Sequence, residues 1–257
     1  MIKTSGVSII MAVWNQLGYT KLAVESILRN TASTPFELVI IDNNSGPEIK
    51  KYFDGIKDKA NVSYIRNEEN YGPIRAINQG IASAHYNYVM VIHNDVMIME
   101  DGWLQKIITA MNNDPRIGIA GLAGRKEIYK NGCVNESTLK HNLQNEDLNV
   151  PMTEEISEVA VIDGLCFVMR REFLELVKGL DENYGFMHCY DLDISLASIV
   201  AGFKNVVIKI EAMHIGNGGR SRKAEEYKQY VKDDYGLLKK NCNILSNKWR
   251  KILPLKV

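Results

Sequence analysis

No apolar stretch of this 257-residue chain approaches the roughly 20 residues that a helix needs to cross a bilayer, so an integral membrane protein is not expected. The N-terminus lacks the charged start and long apolar core of a signal peptide, which argues against secretion by that route. Neither sign of charge is in excess. Lysine plus arginine and aspartate plus glutamate each number 31, so the formal charge is zero and nothing global favours nucleic acid. Any phosphate binding must be local. Cysteine is scarce: Cys133, Cys166, Cys189 and Cys242 are scattered without a close pair, which argues against a zinc site or a disulfide framework and points to reduced thiols in a cytosol. Repeats and low-complexity segments are missing as well.

What is there suits a soluble globular protein with a sizeable core: 46% of residues are apolar and 24% charged, and the length fits one α/β domain. Residues 7–13 read as a first strand. Residues 17–29 follow as a helix with Leu17, Leu22, Ala23, Ile27 and Leu28 on one side. Residues 36–41 form a second strand closed by the polar turn Asp42-Asn43-Asn44-Ser45-Gly46, and a helix over 47–57, a short strand over 62–65 and a helix over 76–84 come next. The run Val89-Met90-Val91-Ile92-His93-Asn94-Asp95 is apolar and then abruptly polar, as expected of a central parallel strand emptying at its carboxyl end. Open α/β sheets bind ligands at that end. Asp95 there is a hard oxygen donor fit to hold a divalent cation against a phosphate, while Asn94-Asp95 also suits a turn that opens the next helix.

The second half is less regular. A helix over 103–111 and a strand over 117–121 precede a polar stretch, 127–153, that reads as loop with a short hairpin. Extended segments at 159–164 and 166–169, a helix over 171–177, a helix over 191–200 with Leu192, Ser195, Leu196 and Ile199 on one face, and a strand over 206–210 complete the order. The strand–helix alternation implies a mostly parallel sheet with right-handed crossovers.

Several motifs in this order, namely residues 7–15, Val39-Ile40-Ile41-Asp42-Asn43-Asn44-Ser45, Asn67-Glu68-Glu69-Asn70-Tyr71-Gly72 with Ala76 and Asn78-Gln79-Gly80, His93-Asn94-Asp95 and Tyr190-Asp191-Leu192-Asp193, together resemble the family 2 glycosyltransferases. The resemblance covers roughly residues 5–216. It implies the α/β GT-A fold of nucleotide-diphospho-sugar transferases, with a nucleotide-sugar half over 1–100, an acceptor half over 101–216, and a basic loop and amphipathic tail over 217–257.

The resemblance also implies roles. Ala12 and Val13 frame the base through their backbone, and Asp42, an acceptor-only group, reads a pyrimidine N3–H, with Asn44 beside it. Asp42 equally suits a plain turn former. Gly72 permits close backbone approach under the diphosphate, where Arg75 and Asn94 are further candidates. Arg75 departs from the family order, in which a basic residue follows the alanine that is Ala76 here. Asp95 matches the last carboxylate of the family's Asp-x-Asp metal motif, His93 stands where the first aspartate usually is, and His214 lies where many members supply another ligand. The imidazoles favour Mn2+ over Mg2+.

Asp191 matches the family's general base, the carboxylate that deprotonates an incoming hydroxyl in transfer with inversion. Tyr190 replaces the usual glutamate before it, and helix capping competes as an explanation for both Asp191 and Asp193, of which Asp193 is assigned a structural role. Arg220 and Arg222 sit in a Gly-rich basic loop that can close on a diphosphate.

The tail from residue 235 carries Lys239, Lys240, Lys248, Arg250, Lys251 and Lys256 among Leu237, Leu238, Trp249 and Ile252. It suits either an anionic membrane surface or packing on the domain. The expected enzyme is thus a metal-dependent inverting glycosyltransferase, cytoplasmic or peripheral at the inner membrane face. It takes a nucleotide-sugar donor, UDP ahead of dTDP, and a glycan or lipid-linked saccharide acceptor, with no nucleic acid partner. The alternatives are a sugar-1-phosphate nucleotidyltransferase and a catalytically silent binding module.

Overall fold

The computed structural model describes residues 3–31, 34–58, 61–144, 152–216 and 224–257. The first half alternates strictly: β1 (Lys3–Val13), α1 (Leu17–Asn30), β2 (Phe36–Asp42), α2 (Pro47–Asp54), β3 (Val62–Arg66), α3 (Pro73–Ser83) and β4 (Tyr86–Ile92). Then follow β5 (Val96–Ile98), α4 (Trp103–Asn113), β6 (Ile117–Gly121), β7 (Ala123–Arg125), β8 (Glu127–Ile128) and β9 (Leu139–His141). The remainder is β10 (Ile156–Val159), β11 (Val161–Ile162), β12 (Cys166–Arg170), α5 (Arg171–Val177), α6 (Tyr190–Val200), β13 (Lys204–Ile208), β14 (Ala212–His214), α7 (Asp234–Lys248) and β15 (Leu255–Lys256).

Eight strands form one sheet in the order β10-β13-β6-β12-β4-β1-β2-β3, and only β12 and β10 run against the others. The mostly parallel sheet is the one the alternation implied. Side chains on a strand point alternately to opposite faces, and β1 shows the consequence. Ile9 and Met11 join Leu38, Met90 and Trp103 in the core beneath one face, whereas Ile10 joins Val39, Val91, Ile77 and Phe173 on the other. Both faces are covered, which is why these strands read as continuous apolar runs. Trp103 is fully buried and its indole Nε1 donates to Thr31 Oγ1 at 2.9 Å, so α4 is pinned to the end of α1.

The structure departs from the sequence reading in four places. Helix α3 starts at Pro73 rather than residue 76, because Gly72 at φ +82° turns the chain and proline is preset for the first helical position. The stretch 159–164 is two strands: β10 borders the main sheet, and β11 joins a three-stranded sheet with β7 and β9 because the Ala160 amide binds Arg125 O at 2.9 Å. The polar stretch 127–153 contributes β8, β9 and a short 3-10 turn at Glu136–Thr138 within its described part. Finally, β5 and β14 were not foreseen, being three residues each and paired with one another.

The tail packs on the body of the protein. Asn241 is fully buried and its Nδ2 donates to the carbonyls of Tyr184 and Met187, while Leu245 and Leu253 are buried and β15 pairs with β8. Asp193 is the anchor on the other side, accepting from Tyr184 Oη, Lys248 Nζ and Trp249 Nε1 at 2.9, 2.9 and 2.7 Å. No described helix is long and apolar enough to cross a membrane.

Candidate active site

The carboxyl ends of β1 and β4, the turn after β2 and the start of α6 line one cavity of about 750 Å³. Position at the strand ends follows from topology: parallel strands deliver every strand-to-helix turn to the same edge. The cavity wall includes Ala12, Val13, Asn94, Asp95, Tyr190 and Asp191.

Three donors converge on one side. A ring nitrogen of His93, a carboxylate oxygen of Asp95 and a ring nitrogen of His214 all lie within 4.8 Å of one another. The antiparallel pair β5–β14 sets His214 opposite Val96, one residue beyond Asp95, and so joins ligands far apart in sequence. His214 Nε2 is 3.3 Å from Asp95 Oδ1, and the Ile215 amide donates to the Asp95 carbonyl at 2.8 Å. Burial pushes the Asp95 carboxyl up, yet the hydrogen bond from His214 and the charges of His93 and His214 outweigh it and hold the group below its ordinary range. A Cβ at Gly216 would overlap Asp95 Oδ2, so the chain wraps closely around this carboxylate. Two imidazoles and one carboxylate suit a divalent transition ion better than calcium.

Asp191, in the first turn of α6, lines the same cavity. Its Oδ2 accepts from the Gly164 amide at 2.8 Å and its Oδ1 from the Leu192 amide at 3.0 Å. Burial first, and the charge of Asp163 second, push its carboxyl up to about 6. Asp163 is itself ion-paired to Arg125, which also bonds Glu136 at 2.6 and 2.9 Å. Behind the helix start, Ser195 Oγ donates to the Asp191 carbonyl at 2.6 Å and accepts from the Ile162 amide. His188 and Cys189, just before the helix, have φ of 75° and 64°, a conformation that non-glycine residues rarely adopt outside strained or functional sites. Tyr190 replaces a carboxylate with a phenol whose oxygen lies 3.1 Å from His93 Nε2; burial and the carboxylates of Asp191, Asp163 and Asp95 keep it neutral.

The nucleotide-side expectations divide. Ala12, Val13 and Asn94 line the cavity, and Thr20 Oγ1 of α1 fixes the Asn94 amide at 2.9 Å. Asp42 does not line it. Its carboxylate is fully buried and accepts from Ser45 N, Tyr64 Oη and Arg66 Nη1 at 2.8, 2.5 and 2.5 Å, tying the β2 turn to β3. The neighbouring Asn43 is the cavity-lining polar group of this turn, with its side chain bonded to Gly72 O and Asn67. Asn44 is exposed and caps Arg66 at 3.0 Å. Gly72 makes its close approach to Phe186, whose carbonyl would sit 2.6 Å from an added Cβ. Arg75 is exposed beside Glu182 at 3.4 Å and does not line the cavity. Arg220 and Arg222 lie outside the described residues.

Sequence reasoning missed Trp14, Asp163, Gly164 and Arg125, all of which line the cavity. Asp163-Gly164 carried a signal, an acid and a glycine interrupting an apolar extended stretch. Arg125 carried none. All four cysteines are free, as the scattered spacing suggested, but two of them meet in space: Cys189 Sγ and Cys242 Sγ are 3.9 Å apart.

Comparisons with known proteins bear on the family and the fold. An uncharacterized protein, y4gI, of Sinorhizobium fredii is 24% identical over 214 residues, 78% of this chain and 23% of that protein. A poly-beta-1,6-N-acetyl-D-glucosamine synthase of Staphylococcus aureus is 27% identical over 116 residues, 44% of this chain and 27% of that one. The chain thus spans about a quarter of the length of these relatives. The crystal structure of GalNAc-T7 with UDP, GalNAc and Mn2+ superposes with a TM-score of 0.67 at 16% identity, over 82% of this chain and 44% of that one, which establishes the GT-A fold. Residues 8–177 match the family model described as glycosyl transferase family 2, well over half of the chain, and the chain belongs to that family.

Proposed function

We propose that this chain is a metal-dependent inverting glycosyltransferase that moves a sugar from a nucleoside diphosphate, UDP ahead of dTDP, to a hydroxyl of a growing glycan such as a cell-surface polysaccharide or lipid-linked saccharide. The observation that carries the reading is one cavity lined both by a carboxylate raised to about 6 and by a two-histidine, one-carboxylate donor set. Two similar proteins, an N-acetylglucosamine polymer synthase and GalNAc-T7 in its structure with UDP and Mn2+, support the donor class and the ion.

In this mechanism Asp191 takes the proton of the acceptor hydroxyl as its oxygen bonds to the anomeric carbon and the bond to the diphosphate breaks. Inversion requires that attack come from the face opposite the leaving nucleotide. Amides of Gly164 and Leu192 hold the carboxylate in place, and its raised proton affinity makes it a better acceptor than an ordinary aspartate. His93, Asp95 and His214 would hold Mn2+ or Mg2+, which when bound neutralises charge on the departing diphosphate. Ala12, Val13, Asn43 and Trp14 then face the nucleoside end. The reading also treats 1–257 as one domain, with a donor half over 1–100 and an acceptor half over 101–216, at work in the cytoplasm. Exposed Tyr235 and Leu238 beside Lys239 and Lys240 support peripheral contact with an inner membrane face.

The test is a transfer assay over UDP-, dTDP- and GDP-sugars with and without Mn2+, with the product anomer read by NMR. Metal-dependent transfer from a UDP-sugar with inverted configuration is expected. A retained anomer removes the inverting mechanism. Donor binding without turnover indicates a silent module, and release of a nucleoside triphosphate from pyrophosphate and donor indicates a nucleotidyltransferase.

A further inference from the structure

Three of the four cysteines meet beside the catalytic helix although they come from three separate parts of the chain. Cys189 is the residue before α6, Cys242 lies in α7, and Cys133 closes a turn that rests on α7. In that turn the Gly132 amide binds Tyr129 O at 3.0 Å, and Ser246 Oγ of α7 donates to Lys130 O at 2.8 Å. Gly132 has φ +80°, and a Cβ on it would lie 2.9 Å from Cys242 O, so the turn sits directly against the helix. All three thiols line the 750 Å³ cavity, with Cys189 buried, Cys242 half-buried and Cys133 exposed.

From the 3.9 Å separation of Cys189 Sγ and Cys242 Sγ, we propose that these two thiols are a modification site at which a hydroperoxide forms a disulfide, and that this bond switches off the chemistry at Asp191. A disulfide needs its sulfurs about 2.05 Å apart, a closure of about 2 Å that side-chain rotation can supply in part. The hydrogen bond from Cys189, set against burial and helped by Cys133, holds the Cys242 thiol down to about 7, while Cys189 is pushed up. Cys242 is also the more accessible of the two and reacts first as the thiolate, since the thiolate and not the thiol is the nucleophile. Its sulfur attacks the peroxide, the O–O bond breaks, and Cys242 becomes a sulfenic acid as hydroxide leaves. Cys189 sulfur then attacks that sulfur, the S–O bond breaks, and the departing hydroxide takes the Cys189 proton to form water. Overall two thiols and one hydrogen peroxide give one disulfide and two waters.

The link to function is positional, and rests on the proposed role of Asp191. Cys189 holds a left-handed backbone immediately before Tyr190 and Asp191, and its carbonyl accepts the first bond of α6 from the Asp193 amide at 2.9 Å. Drawing its sulfur toward α7 shifts the residue on which the base is mounted. Cys133 is the competing partner for Cys242, because the two thiols also share a hydrogen bond.

The experiment exposes the full chain to hydrogen peroxide, blocks remaining thiols with N-ethylmaleimide and maps peptides by mass spectrometry without reduction. A Cys189–Cys242 cross-linked peptide is expected, formed equally in Cys133→Ser and lost in Cys242→Ser and Cys242→Ala. Sugar transfer is expected to fall at least 10-fold in the parent and to return with dithiothreitol, while Cys242→Ser keeps its own untreated rate under peroxide. Absence of the cross-link, or a Cys133–Cys242 link in its place, overturns the site. A cross-link that leaves transfer unchanged overturns the switch. The peptide map needs neither donor nor acceptor, so it tests the thiols even where the transferase reading fails.

Discussion

The Gly164 amide donates to Asp191 Oδ2 at 2.8 Å, and a Cβ at Gly164 would lie 3.2 Å from that oxygen and 2.6 Å from the Tyr190 hydroxyl. Only a glycine lets the backbone reach this close to the carboxylate. Gly164→Ala should therefore displace Tyr190 and loosen Asp191 together. Transfer is expected to fall by about 10-fold or more with the melting temperature near that of the parent, since the residue lies at the cavity wall. Asp191→Asn, which keeps the shape but cannot take a proton, should cost about 100-fold or more. Steady-state kinetics beside a thermal melt check both, and near-parental turnover of Asp191→Asn would remove it as the base.

The pH profile follows from the raised carboxyl. Only ionised Asp191 accepts a proton, so kcat/KM should fall tenfold per pH unit below about 6 and level off above it. Arg125 pairs with Asp163, whose charge is one cause of that rise, so Arg125→Gln should leave Asp163 uncompensated and move the break to higher pH. Stability changes in the opposite direction. A carboxyl raised on folding favours the folded state below its unfolded value, and this contribution is lost as pH climbs toward 6. Asp191→Asn escapes that loss, and above pH 6 it should melt no lower than the parent.

Asp42 and Asn43, adjacent in the turn after β2, should respond differently to substitution. Asp42→Asn leaves the half-buried Arg66 and Tyr64 short of their anion and should cost roughly 1–3 kcal/mol of stability with little change in nucleotide affinity once folded. Asn43→Ala should do the reverse, weakening nucleotide binding, because Asn43 faces the cavity. Chemical denaturation and nucleotide titration separate the two. If Asp42→Asn alone loses nucleotide affinity, the base-reading role returns to Asp42.

The strands and the ligand-bearing strand end were legible because parallel strands buried on both faces leave an unbroken apolar signal that stops at a polar residue, as at His93-Asn94-Asp95. Which side of a turn a polar residue faces left no such trace. Asp42 and Asn43 are adjacent and both polar, and only the positions of Tyr64 and Arg66 on β3 decide that Asp42 points inward. His214 was found by resemblance, but its partner strand was not, because three-residue strands such as β5 and β14 have no periodicity to read. Arg125 and the thiol group were invisible for the same kind of reason: their proximity to Asp163 and to one another is made by chain crossings that no local pattern records.

The metal side offers the sharpest pair of variants. Asp95→Ala deletes a proposed ligand at a strand end without opening a core cavity, so the fold should survive while Mn2+-dependent donor binding is lost. Gly216→Ala leaves all three ligands in place, but its Cβ would overlap Asp95 Oδ2 and must push the carboxylate or the chain aside. It should therefore weaken Mn2+ affinity, with donor binding recovering at high metal concentration, whereas Asp95→Ala should not recover. Calorimetric titration of Mn2+ followed by donor, before and after a chelator, distinguishes the two. If Asp95→Ala binds Mn2+ and donor as the parent does, His93, Asp95 and His214 are not the metal site.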